Sequence, residues 1–306
     1  MKNSSGSKEG AGALPCPRTD LACERTPETE NAPGTSLRLY EKFGVKIEDF
    51  RVETEAGARR TGRRIGRYTT LCCRLLRDLL PEQAGQISAL FAALLRDYLG
   101  AAVGRAGGRR PRILAAGLGN REITPDALGP RTAADIRATA HLPEEMLAEL
   151  PGCFRVCAIH PGVTGQTGMD AADVLRALAH SFRPDVILVV DALAARSVSR
   201  LCTTIQVTDT GIAPGSGAGC RRTAIDRESM GVPVIAVGVP TVVDCATLVY
   251  DALTEAGIGQ TEEQLHPVLS EGERFFVSPR DMDVILTEAS ALLAHAINQA
   301  LGTEFA

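Results

Sequence analysis

The 306-residue chain has no tryptophan, and aromatic residues make up only 4% of it. Proteins that grip single strands of nucleic acid stack bases on aromatic side chains, so direct nucleic-acid binding is not expected. No apolar run reaches the ~18 residues that span a bilayer, and no membrane segment is expected. The N-terminal stretch lacks the charged start and apolar core of an export signal. The nine cysteines (16, 23, 72, 73, 153, 157, 202, 220 and 245) contain one closely spaced separated pair, Cys153 and Cys157. A zinc framework uses four ligands, usually two such pairs, so no metal centre is expected from the cysteines. Thiols scattered through an unexported chain read as reduced core residues of a cytoplasmic protein.

What is present is ordinary for a globular protein: 44% hydrophobic and 23% charged residues. Fibrous and wholly disordered classes are excluded. The net charge of −4 hides an asymmetry. Residues 1–112 carry 20 Lys/Arg against 13 Asp/Glu, and residues 113–306 carry 13 against 24. Arg59, Arg60, Arg63, Arg64 and Arg67 crowd one stretch of the basic part, which reads as a surface for acidic partners or as chance clustering.

Residues 1–36 are rich in Ser, Gly, Pro and Glu and have little to bury, so they read as unstructured. Residues 37–70 contain short apolar–polar alternations compatible with strands. Residues 84–103 place Ile87, Leu90, Phe91, Leu94, Leu95, Tyr98 and Leu99 at helical spacing. From 111 onward the pattern is strand–loop–helix. Apolar runs occur at 113–117, 156–159, 186–190, 205–207 and 234–239, and helical patterns at 171–180, 244–256 and 283–301. Runs without alternation mean strands buried on both faces. The expected fold is α/β: a doubly wound, mainly parallel sheet with helices on both faces and added strands in the N-terminal part. Chemistry in such sheets sits just beyond the carboxyl ends of the strands.

Two aspartates stand there. Asp126 follows the first strand of the core, with Thr124 as a helix N-cap and Pro125 at the first helical position. It reads as a capping carboxylate or as a catalytic one. Asp191 follows Val186–Val190 at the exit of a buried strand, where a carboxylate must be paired or bound. A salt bridge to Arg196 is the plain reading. If the two share one crevice, one carboxylate stays ionised while the other keeps a proton, a pair suited to driving water onto a peptide carbonyl. The same pair can hold a divalent metal, given more ligands. The loop 208–222 contains Gly215, Gly217 and Gly219 followed by Arg221 and Arg222; it reads as an anion cradle or as a loop lining the crevice. That leaves a non-catalytic module binding peptide or phosphate as a competing class. His160 follows a strand as a candidate ligand or acid–base group. Cys220 has no sequence neighbour to act as its base, and Cys72-Cys73 reads as core packing.

Arg18–Ala22, Glu53–Leu71, Gly117–Pro130, His160–Asp170, Asp185–Arg196, Ile205–Arg221 and Gly231–Asp244 together resemble the germination protease family of spore-forming bacteria. The resemblance runs through almost the whole chain and implies a fold like that of hydrogenase maturation endopeptidases. It implies an endopeptidase that degrades small acid-soluble spore proteins in the spore core, with Asp126 and Asp191 as the catalytic pair of an atypical aspartic protease needing no cofactor. In the hydrogenase-maturation relatives the matching carboxylates bind metal, so a metal-dependent peptidase stays the alternative. The resemblance further implies a homotetramer and a self-processing zymogen. On that reading residues 1–20 form a disordered propeptide and 21–306 a single peptidase domain, with 37–110 as an N-terminal addition and 111–301 as the core. Family substrates are cut in sequences like Thr-Glu-Phe-Ala-Ser-Glu, after the first Glu. Thr19-Asp20-Leu21-Ala22-Cys23-Glu24 has the same order of residue types, which predicts processing between Asp20 and Leu21. Arg121 and Cys220 stand where the resemblance leads one to expect Trp and Asn.

Overall fold

The apolar runs become strands covered on both sides. The structure, a computed structural model, describes residues 19–25, 33–104, 109–213, 223–257 and 275–304. Its strands are β1 (Thr35–Lys42), β2 (Val45–Val52), β3 (Gly66–Cys72), β4 (Arg112–Gly117), β5 (Arg155–Ile159), β6 (Val186–Ala195), β7 (Thr204–Thr208), β8 (Val234–Asp244) and β9 (Phe276–Val277). Its helices are α1 (Glu55–Thr61), α2 (Pro81–Val103), α3 (Leu128–Asp135), α4 (Glu144–Ala148), α5 (Thr164–Thr167), α6 (Ala171–Phe182), α7 (Arg227–Met230), α8 (Cys245–Glu255) and α9 (Met282–Leu301).

All nine strands join one sheet in the order β1-β2-β3-β7-β8-β6-β4-β5, with β9 also paired to β8. The α/β class expected from the sequence is found, in a sheet that is mixed. Strands β5, β4, β6 and β8 run parallel. Strand β7 is antiparallel to β8, and β3, β2 and β1 continue antiparallel from it. The 196–203 connection between β6 and β7 is too short for the crossover that a parallel strand needs, so β7 runs back the other way. The N-terminal strands thereby extend the core sheet.

Strand β6 shows how the two faces are filled. Val186, Leu188 and Val190 enter one core cluster, and Ile187 and Val189 enter the other. The first face is covered by Phe91, Leu95 and Leu99 of α2 and by Ile285, Leu286, Leu293 and Ile297 of α9. Ala172 and Leu175 of α6 lie in the second cluster. Each buried Leu, Ile or Phe side chain contributes about 2 kcal/mol relative to exposure. Helices α2 and α9 are long and apolar enough, by length and composition, to cross a membrane. That exceeds the expectation from uninterrupted runs, because a helix concentrates apolar residues on one side. In the fold those sides belong to the core beneath the sheet. Helix α2 starts three residues earlier than the periodicity indicates, with Pro81 at its first position.

Helix α3 lies almost on the backbone of the central strands. A Cβ on Gly129 would sit 2.2 Å from the Leu118 carbonyl oxygen and 2.4 Å from that of Val190. Only glycine permits this approach, and α3 begins two residues after Asp126. Expectations for the cysteines hold in part. Cys23, Cys72, Cys73, Cys153, Cys157, Cys202 and Cys245 are free thiols. Cys73 packs against the core, but the Cys72 Sγ accepts a bond from Arg200 at 2.6 Å.

Ion pairs tie the N-terminal part to the core, among them Arg64 with Asp226, Arg77 with Asp281 and Arg200 with Glu48. Arg64 donates to Asp226 Oδ2, and Asp226 Oδ1 caps α7 by accepting from the Ser229 N–H at 2.8 Å. Burial pushes the Asp226 carboxyl up, but Arg64 and Ser229 outweigh it and hold it below its usual value. A lowered folded-state value means stability that is present above the ordinary carboxylate range and lost as pH falls through the lowered value. We expect Asp226→Ala to cost about 1 kcal/mol at pH 7 in urea unfolding. The gap to wild type should close as pH falls below about 4. A gap that persists or widens in acid would contradict this account.

Candidate active site

The site is created by unequal strand lengths. Strand β4 ends at Gly117, opposite Val190 of β6. The Leu118 N–H makes one more bond to the Val190 carbonyl, at 2.8 Å. Strand β6 continues to Ala195, paired on its other side with β8. A cleft of about 330 Å³ opens where β4 leaves off, lined by Asp126, Asp191, Asp20, Leu193, Thr241 and Phe276 among others.

The turn after β4 is built around Asp126. Gly119 has φ of +114°, and a Cβ there would lie 2.1 Å from the Asp126 carbonyl oxygen. With no side chain at 119, the chain curls so that the Asn120 N–H donates to Asp126 Oδ2 at 2.6 Å. The Asp126 N–H donates to Ile123 O at 2.8 Å. Thr124 does not cap a helix. Thr124–Asp126 form a 3-10 turn without a side-chain cap, and the α-helix starts at Leu128. Asp126 is therefore held by a backbone amide of its own loop.

Asp191 differs from the sequence expectation in two ways. It lies within β6, opposite Gly238 of β8, because Ala192–Ala195 continue the strand. Its position still marks an edge, that of the shorter β4. The expected partner Arg196 is engaged elsewhere, with Asp251 at 2.7 and 3.0 Å. Asp191 is only 5% exposed, and its Oδ1 accepts from the Ala192 N–H at 2.9 Å. Asp126 and Asp191 thus line one cleft, as two neighbouring core strands bring them there.

Asp20 lines the same cleft. The sequence reads as unstructured over 1–36, and as a disordered propeptide over 1–20, but Thr19–Leu21 is packed, Ala22–Arg25 forms a 3-10 turn and β1 begins at Thr35. The Asp20 N–H donates to Ala194 O, and the Ala194 N–H donates to Asp20 Oδ2, both at 2.9 Å. Leu21 is fully buried with Leu193, Ala195, Leu201 and Val243. Arg63 donates to the carbonyl of Asp20 at 3.1 Å and to that of Leu21 at 2.6 Å. The Gln206 side chain donates to Asp20 O at 3.3 Å and accepts from the Ala22 N–H at 2.6 Å. Residues 1–18 lie outside the described residues.

The other candidates separate. His160 is exposed after β5 and does not line the cleft. Arg121 is exposed beside the turn. Gly215, Gly217, Gly219, Cys220, Arg221 and Arg222 lie outside the described residues. Among the described residues, no three His, Cys, Asp or Glu side chains gather as a metal site. Burial pushes the Cys23, Cys73 and Cys202 thiols up to about 12, so none offers a thiolate at neutral pH. The arginine cluster divides: Arg63 and Arg67 are half-buried, while Arg64 is exposed although paired. Arg63 holds the 19–21 backbone, Arg64 pairs with Asp226, and Arg67 pairs with Asp49 and Asp97. Arg59 and Arg60 are exposed.

Sequence reasoning missed Thr241, Gln206 and the binding use of Arg63. Thr241 lines the cleft at 1% exposure, with no hydrogen-bond partner for its hydroxyl among the described residues. Nothing in its local sequence, Val-Pro-Thr-Val-Val, marks it out. The one available signal was that a polar residue interrupts a buried apolar run.

Comparison with known proteins is consistent over nearly the full length. The sequence profile of the family described as "Germination protease" matches residues 18–256. The germination protease of Caldanaerobacter subterraneus subsp. tengcongensis is 35% identical over 315 residues, covering 93% of this chain and 94% of that one. That of Clostridium tetani is 36% identical over 313 residues, covering 93% and 95%. Among solved structures, the [NiFe] hydrogenase maturation protease HycI from Thermococcus kodakarensis aligns over 68% of this chain and 98% of its own, at 18% identity and a TM-score of 0.36. On the profile match and these identities, the chain belongs to the germination protease family.

Proposed function

We propose that the chain is an endopeptidase that begins the breakdown of small acid-soluble spore proteins at germination, with Asp126 and Asp191 activating the attacking water. The observation that carries this reading is the placement of both carboxylates on one cleft beyond the end of β4. One carboxylate takes a proton from the water as it attacks the peptide carbonyl. The other gives a proton to the departing amide nitrogen. No bond to the enzyme forms, so the buried Asp191 and the half-buried Asp126 suffice and no nucleophilic side chain is called for. The buried Leu118 and Leu193 limit water on their side of the pair, which strengthens each electrostatic contact there.

Asp126→Asn and Asp191→Asn should each lower cleavage of a small acid-soluble spore protein by about 100-fold or more, with the thermal unfolding midpoint near that of wild type. Near-normal cleavage by either variant removes that residue from the mechanism. Wild-type cleavage should persist in chelator; loss in chelator with recovery on adding a divalent ion would move the reading to metal-dependent hydrolysis at the same carboxylates.

The chain is further read as a zymogen that processes itself between Asp20 and Leu21. The supporting geometry is that Asp20 lines the cleft and its carbonyl accepts from both Arg63 and Gln206. Donors aimed at a carbonyl oxygen stabilise the charge that develops there during attack. N-terminal sequencing of the matured protein should begin at Leu21, and any other start would rule out this bond.

A further inference from the structure

We propose that Thr241 donates its hydroxyl hydrogen to the carbonyl oxygen of the peptide bond under attack, and so holds the charge that collects there. That the cleft takes a peptide rests on the endopeptidase reading; the aim of the hydroxyl rests on strand geometry.

A break in register sets that aim. Strands β6 and β8 pair in step as far as Leu193 with Pro240, but Ala194 then pairs with Val242, which leaves Thr241 as the extra residue of a bulge. Such an insertion re-aims side chains and is common beside active sites. The change of facing is visible in the packing. Val239 belongs to the core cluster that contains Val190. Val243 belongs instead with Leu193 and Ala195. Leu193 lies three residues after Val190, hence on the opposite face of β6. Regular alternation would keep Val239 and Val243 on one face, so β8 changes sides across Thr241. Pro240, with no N–H to give to a neighbouring strand, suits such a break. The result is a hydroxyl that lines the cleft on a residue 1% exposed, with no partner among the described residues.

The chemistry of the cleft calls for that donor. As water adds to the peptide carbon, the carbonyl electron pair moves onto oxygen, which then needs a hydrogen bond. An ionised carboxylate cannot donate, and the protonated one commits its hydrogen to the nitrogen as the C–N bond breaks. Nearby amides are engaged already. The Asn120 N–H donates to Asp126 Oδ2 at 2.6 Å. Past Val190, the side of β6 that faced β4 has no strand partner, and carboxylates meet its amides instead. The Ala192 N–H donates to Asp191 Oδ1 at 2.9 Å, the Ala194 N–H to Asp20 Oδ2 at 2.9 Å, and the Arg196 N–H to Glu24 Oε2 at 2.7 Å. The Ser197 N–H adds a second bond to Glu24, at 2.8 Å. Arg63 and Gln206 hold the chain's own Asp20 carbonyl and do not line this cleft. Apart from Asp20, Asp126 and Asp191, the other described side chains lining the cleft are apolar. Thr241 is therefore its one neutral side-chain donor among the described residues. A buried hydroxyl without a partner is a cost to the fold, and a bound carbonyl oxygen removes it.

Thr241→Val keeps the shape and deletes the hydroxyl. The variant should unfold at the same temperature as wild type or higher. Its kcat on a small acid-soluble spore protein should fall about tenfold or more, while KM changes less than about twofold, because the bond strengthens as charge develops. Thr241→Ser should recover most of kcat. Unchanged kcat in the Val variant overturns the proposal. So does a fall in kcat matched by a lower unfolding temperature, or a Ser variant as slow as the Val one. A binding measurement separates this outcome from the fate of the endopeptidase reading. One probe is the peptide Thr-Glu-Phe-Ala-Ser-Glu with its Glu–Phe amide replaced by a difluoroketone, which takes up water to form an uncleavable tetrahedral diol. The control probe carries an alkene there and has no oxygen to receive the bond. Thr241→Val should weaken binding of the ketone about fivefold or more and leave the alkene within about twofold of wild type. Weakening of both probes alike, or of neither, overturns the proposal. Hydroxyl-dependent ketone binding by a wild type that cleaves no spore protein overturns the endopeptidase reading and leaves the Thr241 bond in place.

Discussion

Everything at the site depends on β4 stopping while β6 goes on. Gly117 is the last residue of β4 to pair with β6. Backbone groups beyond that point must be satisfied some other way, because a buried amide without a partner carries a large penalty. The molecule solves this with carboxylates. The cost of bringing three acids to a strand edge is offset by the amides they receive, and one of the three is the candidate catalytic Asp191. The close passage of α3 at Gly129 closes the start of the gap, and the turn at Gly119 sets Asp126 at its rim.

The parts of this arrangement differ in how legible they are in the sequence. The central strands are readable because Val186–Val190 and Val234–Val239 are apolar without interruption, which only two-sided burial explains. Asp126 and Asp191 follow from the rule that chemistry lies at strand ends. The length of β6 was not readable: a charged residue after five apolar ones looks like an end, and Ala192-Leu193-Ala194-Ala195 has the composition of a helix and not of a strand. The capping role given to Thr124 failed for a local reason, since Gly119 lets the loop fold back onto Asp126 before any α-helix begins. Gln206, Arg63 and Thr241 were invisible because each acts across long sequence separations. Their meaning comes from which strand lies beside which, and the antiparallel placement of β3 and β7 decides that.

The charge division also takes on a structural meaning. Arg63, Arg64 and Arg67 belong to the basic part of the chain, yet each is engaged within the fold. Through them the β1–β3 addition is fastened to the segment at the cleft, to the cap of α7 and to Asp49 on β2 with Asp97 on α2. The addition therefore does more than widen the sheet. It carries one wall of the seat in which Thr19–Glu24 lies, with Ala22 buried against Phe50, Val52 and Tyr68.

The covered edge of β6 bears on how the newly made chain survives. An open strand edge is a template for pairing with another molecule, and charge placed along it is an effective guard. Thr19–Glu24 supplies that guard from within the same chain, with two acids laid against the amides that a neighbouring strand would seek. Removing the segment would expose a short row of unpaired donors next to an apolar recess. The six residues that fill the cleft edge thus also keep one copy of the protein from stitching itself to the next.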